Sequence, residues 1–448
     1  MKLLTFHPGG IRLPESKLSA RSPIIYLDLP EKVTITLSQH KGAPAKAVVK
    51  PGDEVKRFQL IAEASGRFSA NIHTPISGTV KSVGKTRGAF GYDVDTITIE
   101  ASEEQHRRDM EASPRRIRDD AAIAALTPAQ ICGIARENGL VGMGGATFPT
   151  DIKLDIPADK KVDVLIVNGA ECEPYLTSDH ALMLAEPEAI LNGVELARRA
   201  CGAKRAIIGI EANKKDAIET LEKRISPGSP VEIRTLRERY PQGGEKQLIN
   251  ALTGRHVRSG ALPVDAGAVV MNVATAHALW RATAFAEPLV ARIVTVTGPS
   301  VKTPANYHAC IGYDIASLLE KSGAEIEQGA KLILGGPMMG RAVTGADIPV
   351  EKGTSGILLL PPEQAARRTP DPCVRCARCV DVCPMGLDPY LLATLSRFGK
   401  TEEAERRSMN DCIECGCCSY ICPSARPILD FIRLGKNLRR KSRNKSKQ

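Results

Sequence analysis

Short runs of apolar and β-branched residues, separated by turn residues, occupy the first part of the chain. From Val33 to Ile99 these runs are strand-sized and are interrupted by Pro-Gly-Asp and Ser-Gly turns. This pattern is typical of a small all-β sandwich. The pattern changes more than once further along, which predicts an α/β multidomain protein.

The order of the first runs resembles the lipoyl- or biotinyl-type barrel-sandwich hybrid. Carrier domains of that type hold their prosthetic group on a lysine, but no lysine lies between Glu63 and Thr74. We therefore predict that residues 1–113 form a barrel-sandwich hybrid that packs or docks and carries no swinging arm.

Helical and strand-like segments alternate after a charged stretch, Glu103 to Asp120, which predicts a linker or a surface helix. Val162 to Val167 and Arg205 to Ile210 are continuous apolar runs of the kind that parallel sheets bury. Residues 114–290 are therefore predicted to form a Rossmann-like α/β domain.

A strand, an amphipathic helix and a second strand follow from Arg292 onward. This β-α-β unit predicts a small β-grasp module, of the SLBB-like kind, over residues 291–350. Helical patterns opened by Asp388-Pro389 and by Thr401 then lie between two cysteine motifs. They predict an α-helical ferredoxin domain over residues 362–435.

Eight of the thirteen cysteines fall in two copies of one spacing, each closed by proline. This is the bacterial two-cluster [4Fe–4S] pattern, in which the fourth cysteine of each motif ligates the other cluster. Zinc ribbons instead use pairs of cysteines with a long gap. Cys417 lies off the spacing and is predicted to be a packing thiol. The predicted ligand sets are Cys373, Cys376 and Cys379 with Cys422, and Cys412, Cys415 and Cys418 with Cys383.

The composition is that of an ordinary globular protein: 448 residues, 43% hydrophobic and 25% charged. Thiols used as metal ligands imply a reducing compartment, the cytosol. No segment approaches the roughly 20 apolar residues of a membrane span, so any role at a membrane is expected to be peripheral. The first ten residues do not resemble a secretory signal.

The net charge of +10 is concentrated near the end of the sequence, where residues 436–448 contain seven Lys or Arg and no acid. This basic tail is predicted to be disordered and attracted to an anionic membrane surface or to another protein of a complex. A solubilising tail without a partner is the alternative. Nucleic acid is not expected as a partner, because aromatic residues are only 4% of the chain and no basic stripe is interleaved with them.

Two segments of the α/β region carry candidate nucleotide chemistry. The first is a glycine-rich loop with Gly142, Gly144 and Gly145, followed by Lys153. Glycines permit close approach of the backbone to a phosphate, although such a loop can also be a simple helix-closing turn. The second is the end of a predicted strand, where Asn168, Glu171 and Glu173 follow Val167. Polar groups at this place bind ligands in α/β folds, or are surface turn residues.

These motifs resemble the flavin-binding subunit of respiratory complex I and, more closely, the RnfC family of the Rnf-type ferredoxin:NAD+ oxidoreductase complexes. The resemblance covers essentially the whole chain. A His-Pro-Gly-Gly-Ile segment at residues 7–11, the Gly-Met-Gly-Gly-Ala-Thr-Phe-Pro loop, the Asn-Gly-Ala-Glu-Cys-Glu-Pro-Tyr strand end and the two cysteine motifs occur in the family's order.

The resemblance implies FMN, NAD(H) and two [4Fe–4S] clusters as cofactors. Ala170, Met271 and Ala274 depart from the complex I pattern and leave the individual contacts open. The implied contacts to the flavin phosphate are Gly142, Gly144, Gly145 and Lys153. Those to the isoalloxazine and nicotinamide are Asn168, Glu171 and Glu173, with Gly244, Glu245, Asn272 and Thr275 as further FMN contacts.

The implied function is the NAD(H)-site subunit of a membrane-bound, ion-translocating oxidoreductase. It would sit peripherally on the cytoplasmic face of the bacterial inner membrane, with partners that include an iron–sulfur subunit. A hydride carries two electrons and a cluster accepts one, so a flavin is needed to pass electrons from NADH to the clusters. We assign no residue as a general acid or base for the hydride transfer. The alternatives are a soluble reductase of the cobalamin reductase type and a non-catalytic electron-transfer adaptor.

Overall fold

A computed structural model of the protein describes residues 3–445. Strands come first along the chain, strands and helices alternate in the middle, and helices predominate at the end. The first elements are β1 (Ile24–Tyr26), β2 (Lys32–Thr36), β3 (Lys46–Ala47), β4 (Glu54–Val55), β5 (Leu60–Glu63), β6 (Ile72–His73), β7 (Gly78–Arg87), β8 (Asp93–Glu100) and α1 (Glu103–Glu111).

The second group of elements runs from α2 to α9. They are α2 (Asp120–Ala124), α3 (Pro128–Glu137), α4 (Thr150–Leu154), β9 (Val164–Gly169), α5 (Ser178–Ala185), α6 (Pro187–Ala200), β10 (Arg205–Glu211), α7 (Lys215–Glu222), β11 (Val231–Leu236), α8 (Glu245–Thr253), β12 (Ala268–Asn272) and α9 (Val273–Phe285). A short 3-10 helix, Pro263–Ala266, precedes β12.

The remaining elements include the region of the cysteine motifs. They are β13 (Ala291–Thr297), β14 (Ala305–Cys310), α10 (Ile315–Lys321), β15 (Lys331–Leu334), β16 (Arg341–Ala342), β17 (Gly356–Leu360), α11 (Pro362–Ala365), α12 (Arg378–Asp381), α13 (Pro389–Arg397), α14 (Thr401–Arg406), α15 (Cys417–Tyr420) and α16 (Ile428–Lys445). A 3-10 turn, Met409–Asp411, lies between α14 and α15.

The first domain is a sandwich of two antiparallel sheets, as its pattern predicts. One sheet has the strand order β2-β8-β7-β4 and the other the order β3-β5-β6. Side chains alternate across a strand, so Val33 and Ile35 of β2 and Ile97 and Ile99 of β8 all face inward and are fully buried.

The second domain contains a four-stranded parallel sheet in the order β11-β10-β9-β12. The chain passes from β9 to β10 and β11 on one side, and then places β12 on the other side of β9. The strand order therefore reverses between β9 and β12. In open α/β sheets, ligands bind at such a switch point, outside the carboxyl ends of the strands.

The third module extends beyond the predicted range 291–350. Its sheet has the order β1-β14-β13-β17-β15-β16, and β17 lies within it, parallel to β13 and antiparallel to β15. The sequence prediction did not assign β1 or β17 to this module, because a short apolar run does not reveal which strands it will pair with. The module and the first domain share one continuous hydrophobic core.

The cysteine motifs lie among short helices, as predicted for an α-helical ferredoxin domain. α13 and α14 begin at the positions that the sequence predicts. The apolar sides of α13 and α16 form one core with part of the second cysteine motif. Within residues 3–445, no helix combines the length and the apolar character needed to cross a membrane.

The prediction that the basic tail is disordered is wrong over residues 436–445, which form the last turns of α16. Intramolecular ion pairs explain the order. Lys436 donates to the Glu414 carboxylate at 3.0 Å, and Arg439 donates to Glu405 at 2.7 Å and to Glu402 at 3.0 Å. Residues 446–448 of the predicted tail lie outside the described residues.

Lys352 connects the first three modules. The residue is only 1% exposed, and its ammonium group donates to the carbonyls of Asn71 and Gly139, each at 2.7 Å. Its backbone N–H donates to the side chain of Gln39 at 2.9 Å. Burial lowers the pKa of Lys352 from its ordinary value of 10.5 to about 7.

This burial predicts a pH dependence of stability. Between pH 7 and about 10 the unfolded chain binds a proton that folded Lys352 has released, so the free energy of unfolding rises with pH. The gain is at most about 1.4 kcal/mol per pH unit. We expect Lys352→Met to remove this rise. Urea unfolding of both proteins at pH 7, 8, 9 and 10 measures their free energies of unfolding. A difference between these free energies that stays constant from pH 7 to pH 10 would contradict the prediction.

Candidate functional site

Two asparagines lie side by side at the switch point of the parallel sheet. Asn168 and Asn272 are register partners at the ends of β9 and β12. Asn168 donates to the Gly243 carbonyl at 2.9 Å. Asn272 caps α9, because its side-chain oxygen accepts from the Ala274 N–H at 2.8 Å. The two side chains therefore fix the loops that surround the strand ends.

The glycine-rich loop lies against Asn272. A Cβ on Gly144 would be 2.6 Å from the Asn272 amide nitrogen, whereas a Cβ on Gly145 would meet nothing within 4 Å. The loop is anchored by the Met143 N–H, which donates to the Thr275 hydroxyl at 3.0 Å. Gly144 thus permits close packing, and Gly145 faces open space.

Lys153 and Glu245 form an ion pair next to this loop, although they lie far apart in the sequence. The Lys153 ammonium is 2.8 Å from the Glu245 carboxylate and also donates to the Val270 carbonyl at 2.8 Å. Gly244 is the N-cap residue of α8 and provides no capping side chain. The N-terminal N–H groups of α8 therefore lie beside the ion pair.

Glu171 has a left-handed backbone conformation, with φ of +47°, which is uncommon for a residue with a side chain. Its carboxylate accepts from the N–H groups of Asp179 at 2.8 Å and His180 at 3.3 Å. The side chain therefore binds the first turn of α5.

Glu173 connects the strand end to the third module. Its carboxylate accepts from the N–H groups of Met338 at 3.1 Å and Met339 at 2.8 Å. Burial raises the pKa of Glu173, and these backbone bonds oppose the rise. Glu173 thus holds the loop after β15 against the end of β9.

The structure adds two charged residues that sequence reasoning missed. Asp179 accepts from the Asn272 amide at 2.6 Å, and burial, followed by the charge of Glu171, raises the pKa of Asp179 to about 7. Arg292 is 4% exposed and donates to the Met143 carbonyl at 3.3 Å. Neither residue belongs to a motif, so no sequence signal marks them.

The predicted FMN residues are thus gathered at one end of the parallel sheet, and their arrangement fits a flavin mononucleotide. The open side of Gly145 leaves room for the backbone to approach a ligand. The N-terminal N–H groups of α8 and the Lys153 ammonium are suited to a phosphate. Bound there, FMN would supply a carrier that accepts hydride and releases single electrons.

The structure brings cysteines of the two motifs close together. Burial raises the pKa of Cys379, and Cys422 and Cys373 raise it further. Burial also raises the pKa of Cys412 to about 11, with smaller contributions from Cys415 and Cys383. Cys383 of the first motif lines one cavity with Cys412, Cys415 and Cys418 of the second motif, and Cys422 of the second motif lies near Cys379 of the first. We name the two predicted ligand sets by position: the outer set is Cys373, Cys376, Cys379 and Cys422, and the inner set is Cys383, Cys412, Cys415 and Cys418.

The two sets differ in burial. Cys373 and Cys376 are exposed, whereas Cys383, Cys415 and Cys418 are buried. The inner set and Cys417 line a cavity whose other walls are largely apolar, including Leu387, Leu392, Leu429 and Ile432. Four thiols at the motif spacing around an apolar cavity fit an iron–sulfur cluster. Among the described residues, no three His, Cys, Asp or Glu side chains are grouped to hold a single metal ion.

Tyr240 joins the inner set to the end of β9. It is 2% exposed, and its hydroxyl donates to the Cys415 carbonyl at 2.8 Å and contacts the Glu173 carboxylate. The Cys417 thiol, which is fully buried, donates to the Tyr240 carbonyl at 3.9 Å. The Tyr240 side chain therefore bridges the end of β9, where the nucleotide residues lie, and the inner cysteines.

Comparison with known proteins matches four family models along the chain. They are the RnfC barrel-sandwich hybrid domain at residues 4–104, the Nuo51 FMN-binding domain at 135–281, the SLBB domain at 293–342 and the 4Fe-4S dicluster domain at 365–423. The predicted fold class is confirmed, as are FMN and iron–sulfur clusters as its cofactors. Fold and site together define a flavin- and iron–sulfur-dependent electron-transfer protein.

Relatives identify the family. The C subunit of the Na+-translocating ferredoxin:NAD+ oxidoreductase complex of Acetobacterium woodii is 44% identical over 87% of this chain and 87% of its own length. The proton-translocating counterpart of Clostridium ljungdahlii is 42% identical, over 87% and 84%. The C subunit of the ion-translocating oxidoreductase complex of Rhodobacter capsulatus is 40% identical, over 89% and 77%. The chain belongs to this family of C subunits, the RnfC family, as the resemblance predicted.

A solved structure shares the fold. An NAD+-reducing [NiFe]-hydrogenase in the H2-reduced state matches with a TM-score of 0.50 at 21% identity. The match covers 72% of this chain and 65% of the hydrogenase chain, which is less than two thirds of that chain's length.

The two loop glycines provide a matched pair of variants. Gly144→Ala would force Asn272 aside, and overpacking of this kind costs about 1–3 kcal/mol of stability. Gly145→Ala meets open space, so we expect its stability to stay within about 0.5 kcal/mol of the original protein. Chemical denaturation of the two flavin-free proteins measures the difference, and equal stabilities would refute this account of the loop.

Proposed function

We propose that the protein is the NAD(H)-site subunit of an ion-translocating ferredoxin:NAD+ oxidoreductase complex. It exchanges electrons between NADH, FMN and two [4Fe–4S] clusters. The observation that carries the proposal is the contact through Tyr240 between the end of β9 and the inner cysteines. The flavin takes up electrons in pairs and a cluster accepts them one at a time, so the nucleotide site and a cluster site must lie next to each other.

The proposed FMN and nicotinamide site comprises the residues gathered at the sheet end. The backbone of the glycine loop and the N-terminus of α8 face the phosphate, with Lys153 as the nearby cation. Glu171 and Glu173 shape the loop on which the rings lie, because their carboxylates are already bonded to backbone N–H groups. The site consists of Gly142, Gly144, Gly145, Lys153, Asn168, Glu171, Glu173, Gly244, Glu245, Asn272 and Thr275.

The proposed cluster ligands are the inner and outer sets as defined above. The inner set contacts Tyr240, so it is the one that exchanges electrons with the nucleotide site. The outer set lies at the surface, where Cys373 and Cys376 are exposed and Val374 is 66% exposed. It is therefore the set that meets a partner. No protein side chain needs to act as a general acid or base in hydride transfer.

The proposed partners are the other subunits of the complex, including an iron–sulfur subunit at the outer set. The proposed location is the cytoplasmic face of the bacterial inner membrane, held there by the partners and by attraction of the basic end, residues 436–448, to anionic lipid. Several of these basic residues pair within the protein, which weakens the lipid contribution. Membrane fractions washed at low and high salt test the location; protein found only in the soluble fraction at low salt would exclude it.

The proposed domain boundaries keep the barrel-sandwich hybrid at 1–113 and the α/β domain at 114–290. The β-grasp module is extended from 291–350 to include β17, and the ferredoxin domain covers 362–435. Limited proteolysis tests the limit between residues 113 and 114, since residues 111–116 are exposed and cleavage is expected there and not within the neighbouring strands and helices.

An anaerobic titration with NADH tests the function. We expect the purified protein to show flavin absorption that bleaches with NADH, followed by EPR signals of two reduced clusters. A protein without flavin, or with a flavin that NADH does not bleach, would contradict the proposal. Gly145→Val fills the open space beside the loop and is expected to lower flavin content. Gly84→Val, in β7, also meets no atoms but lies outside the site, and is the matched control.

The cluster ligands have a separate test. Cys422→Ala is expected to remove or alter the cluster of Cys373, Cys376 and Cys379 while the inner cluster persists, because the fourth cysteine crosses between motifs. EPR spectra and iron content of the reduced protein distinguish the two clusters. Cys132→Ala, in α3, controls for the loss of a thiol. Loss of the inner cluster alone would reverse the assignment.

A further inference from the structure

Residues 4–19 form a segment, here called the N-terminal strap, that crosses from the parallel sheet to the cysteine motifs and back. It begins beside β11, where the Leu4 N–H donates to the Thr235 carbonyl at 3.2 Å. Phe6 is buried to 1% exposure among the residues of the parallel sheet and α8. The strap is therefore an integral part of the site region and not a loose extension.

The middle of the strap packs on the inner cysteine set. Gly9 lies so close to Cys383 that a Cβ would be 2.4 Å from the Cys383 carbonyl group. The Gly10 N–H donates to the Val382 carbonyl at 2.9 Å. Ile11 then pairs with Tyr240 through two backbone hydrogen bonds of 2.9 and 2.8 Å.

The end of the strap holds the loop after β9 through Lys17. The Lys17 ammonium donates to the carbonyls of Glu171 at 2.8 Å, Glu173 at 2.9 Å and Leu176 at 2.6 Å. All three donors of the ammonium group are thus used on one loop. The Tyr175 N–H donates to the Glu15 carbonyl at 2.9 Å and adds a fourth bond to the same loop.

The loop needs such support. Glu171 and Tyr175 both have left-handed backbone conformations, with φ of +47° and +69°, and such residues persist only where their surroundings hold them. Carbonyls turned away from regular secondary structure also need donors. Lys17 supplies donors at the start, middle and end of the loop, which a single neutral side chain could not do.

We propose that Lys17 is a positioning residue for the flavin and nicotinamide site, acting through the loop of residues 171–176. This inference rests on the proposed function, since it assumes that the loop contacts the ligands. By holding the loop while Gly9 to Ile11 contact the inner set, the strap keeps the nucleotide site and the inner cysteines in one arrangement.

The test compares Lys17→Met with Arg12→Met. Arg12 is in the strap, carries the same charge and is exposed, so its variant controls for loss of charge. Lys17→Met is expected to raise the KM for NADH and the Kd of the flavin-free protein for FMN about tenfold each, which corresponds to about 1.4 kcal/mol. Hydrogen–deuterium exchange should accelerate selectively in residues 171–177, and iron content should be unchanged.

The possible outcomes distinguish failure of the inference about Lys17 from failure of the proposed function. Unchanged exchange and unchanged FMN and NADH constants in Lys17→Met would overturn the inference, as would faster exchange spread over the whole domain with loss of iron. If Lys17→Met does not fold, Lys17→Arg, which keeps the charge but not the compact three-donor geometry, takes its place. If the original protein binds neither FMN nor NADH, the proposed function fails, and the exchange comparison still decides whether Lys17 holds the loop.

Discussion

The arrangement of the whole site depends on how the loop after β9 is held. Its carbonyls accept from Lys17, its Glu171 carboxylate binds α5, and its Glu173 carboxylate binds the loop after β15. Tyr240 contacts Glu173 and carries the connection to Cys415. Four parts of the chain therefore meet at one short loop, and a shift of that loop would move the nucleotide site relative to the inner cysteines.

The charged groups around this loop are bonded mainly to the backbone and not to opposite charges. Glu171 and Glu173 accept from amide N–H groups, while Lys17 donates to carbonyls. Charge-assisted bonds are stronger than neutral ones, and a buried charge that loses its partner is costly. Because a backbone group has a fixed place in the fold, each of these bonds also fixes the position of one segment against another.

Features that are set by residues close together in the sequence could be predicted from the sequence alone. The cysteine spacing, the glycine loop and the alternating strands each follow from neighbouring residues, and Asn168 could be assigned to a strand end, whereas Asn272 was implied only by the family resemblance. Lys17 and Tyr240 could not, because their roles depend on partners that lie far away in the sequence. The helical end of α16 was missed for the same reason, since its basic residues looked unpaired until Glu402, Glu405 and Glu414 were placed beside them.

The difference in burial between the two cysteine sets has consequences for cluster assembly. Burial raises the pKa of Cys412 to about 11 and also raises that of Cys383, so iron binding at the inner set must displace protons from these two thiols. The inner set also includes Cys383, which packs against Gly9 of the strap. Assembly of the inner site is thus linked to the packing of the strap against Cys383. The outer set is mixed in this respect, because Cys373 and Cys376 are exposed whereas burial also raises the pKa of Cys379.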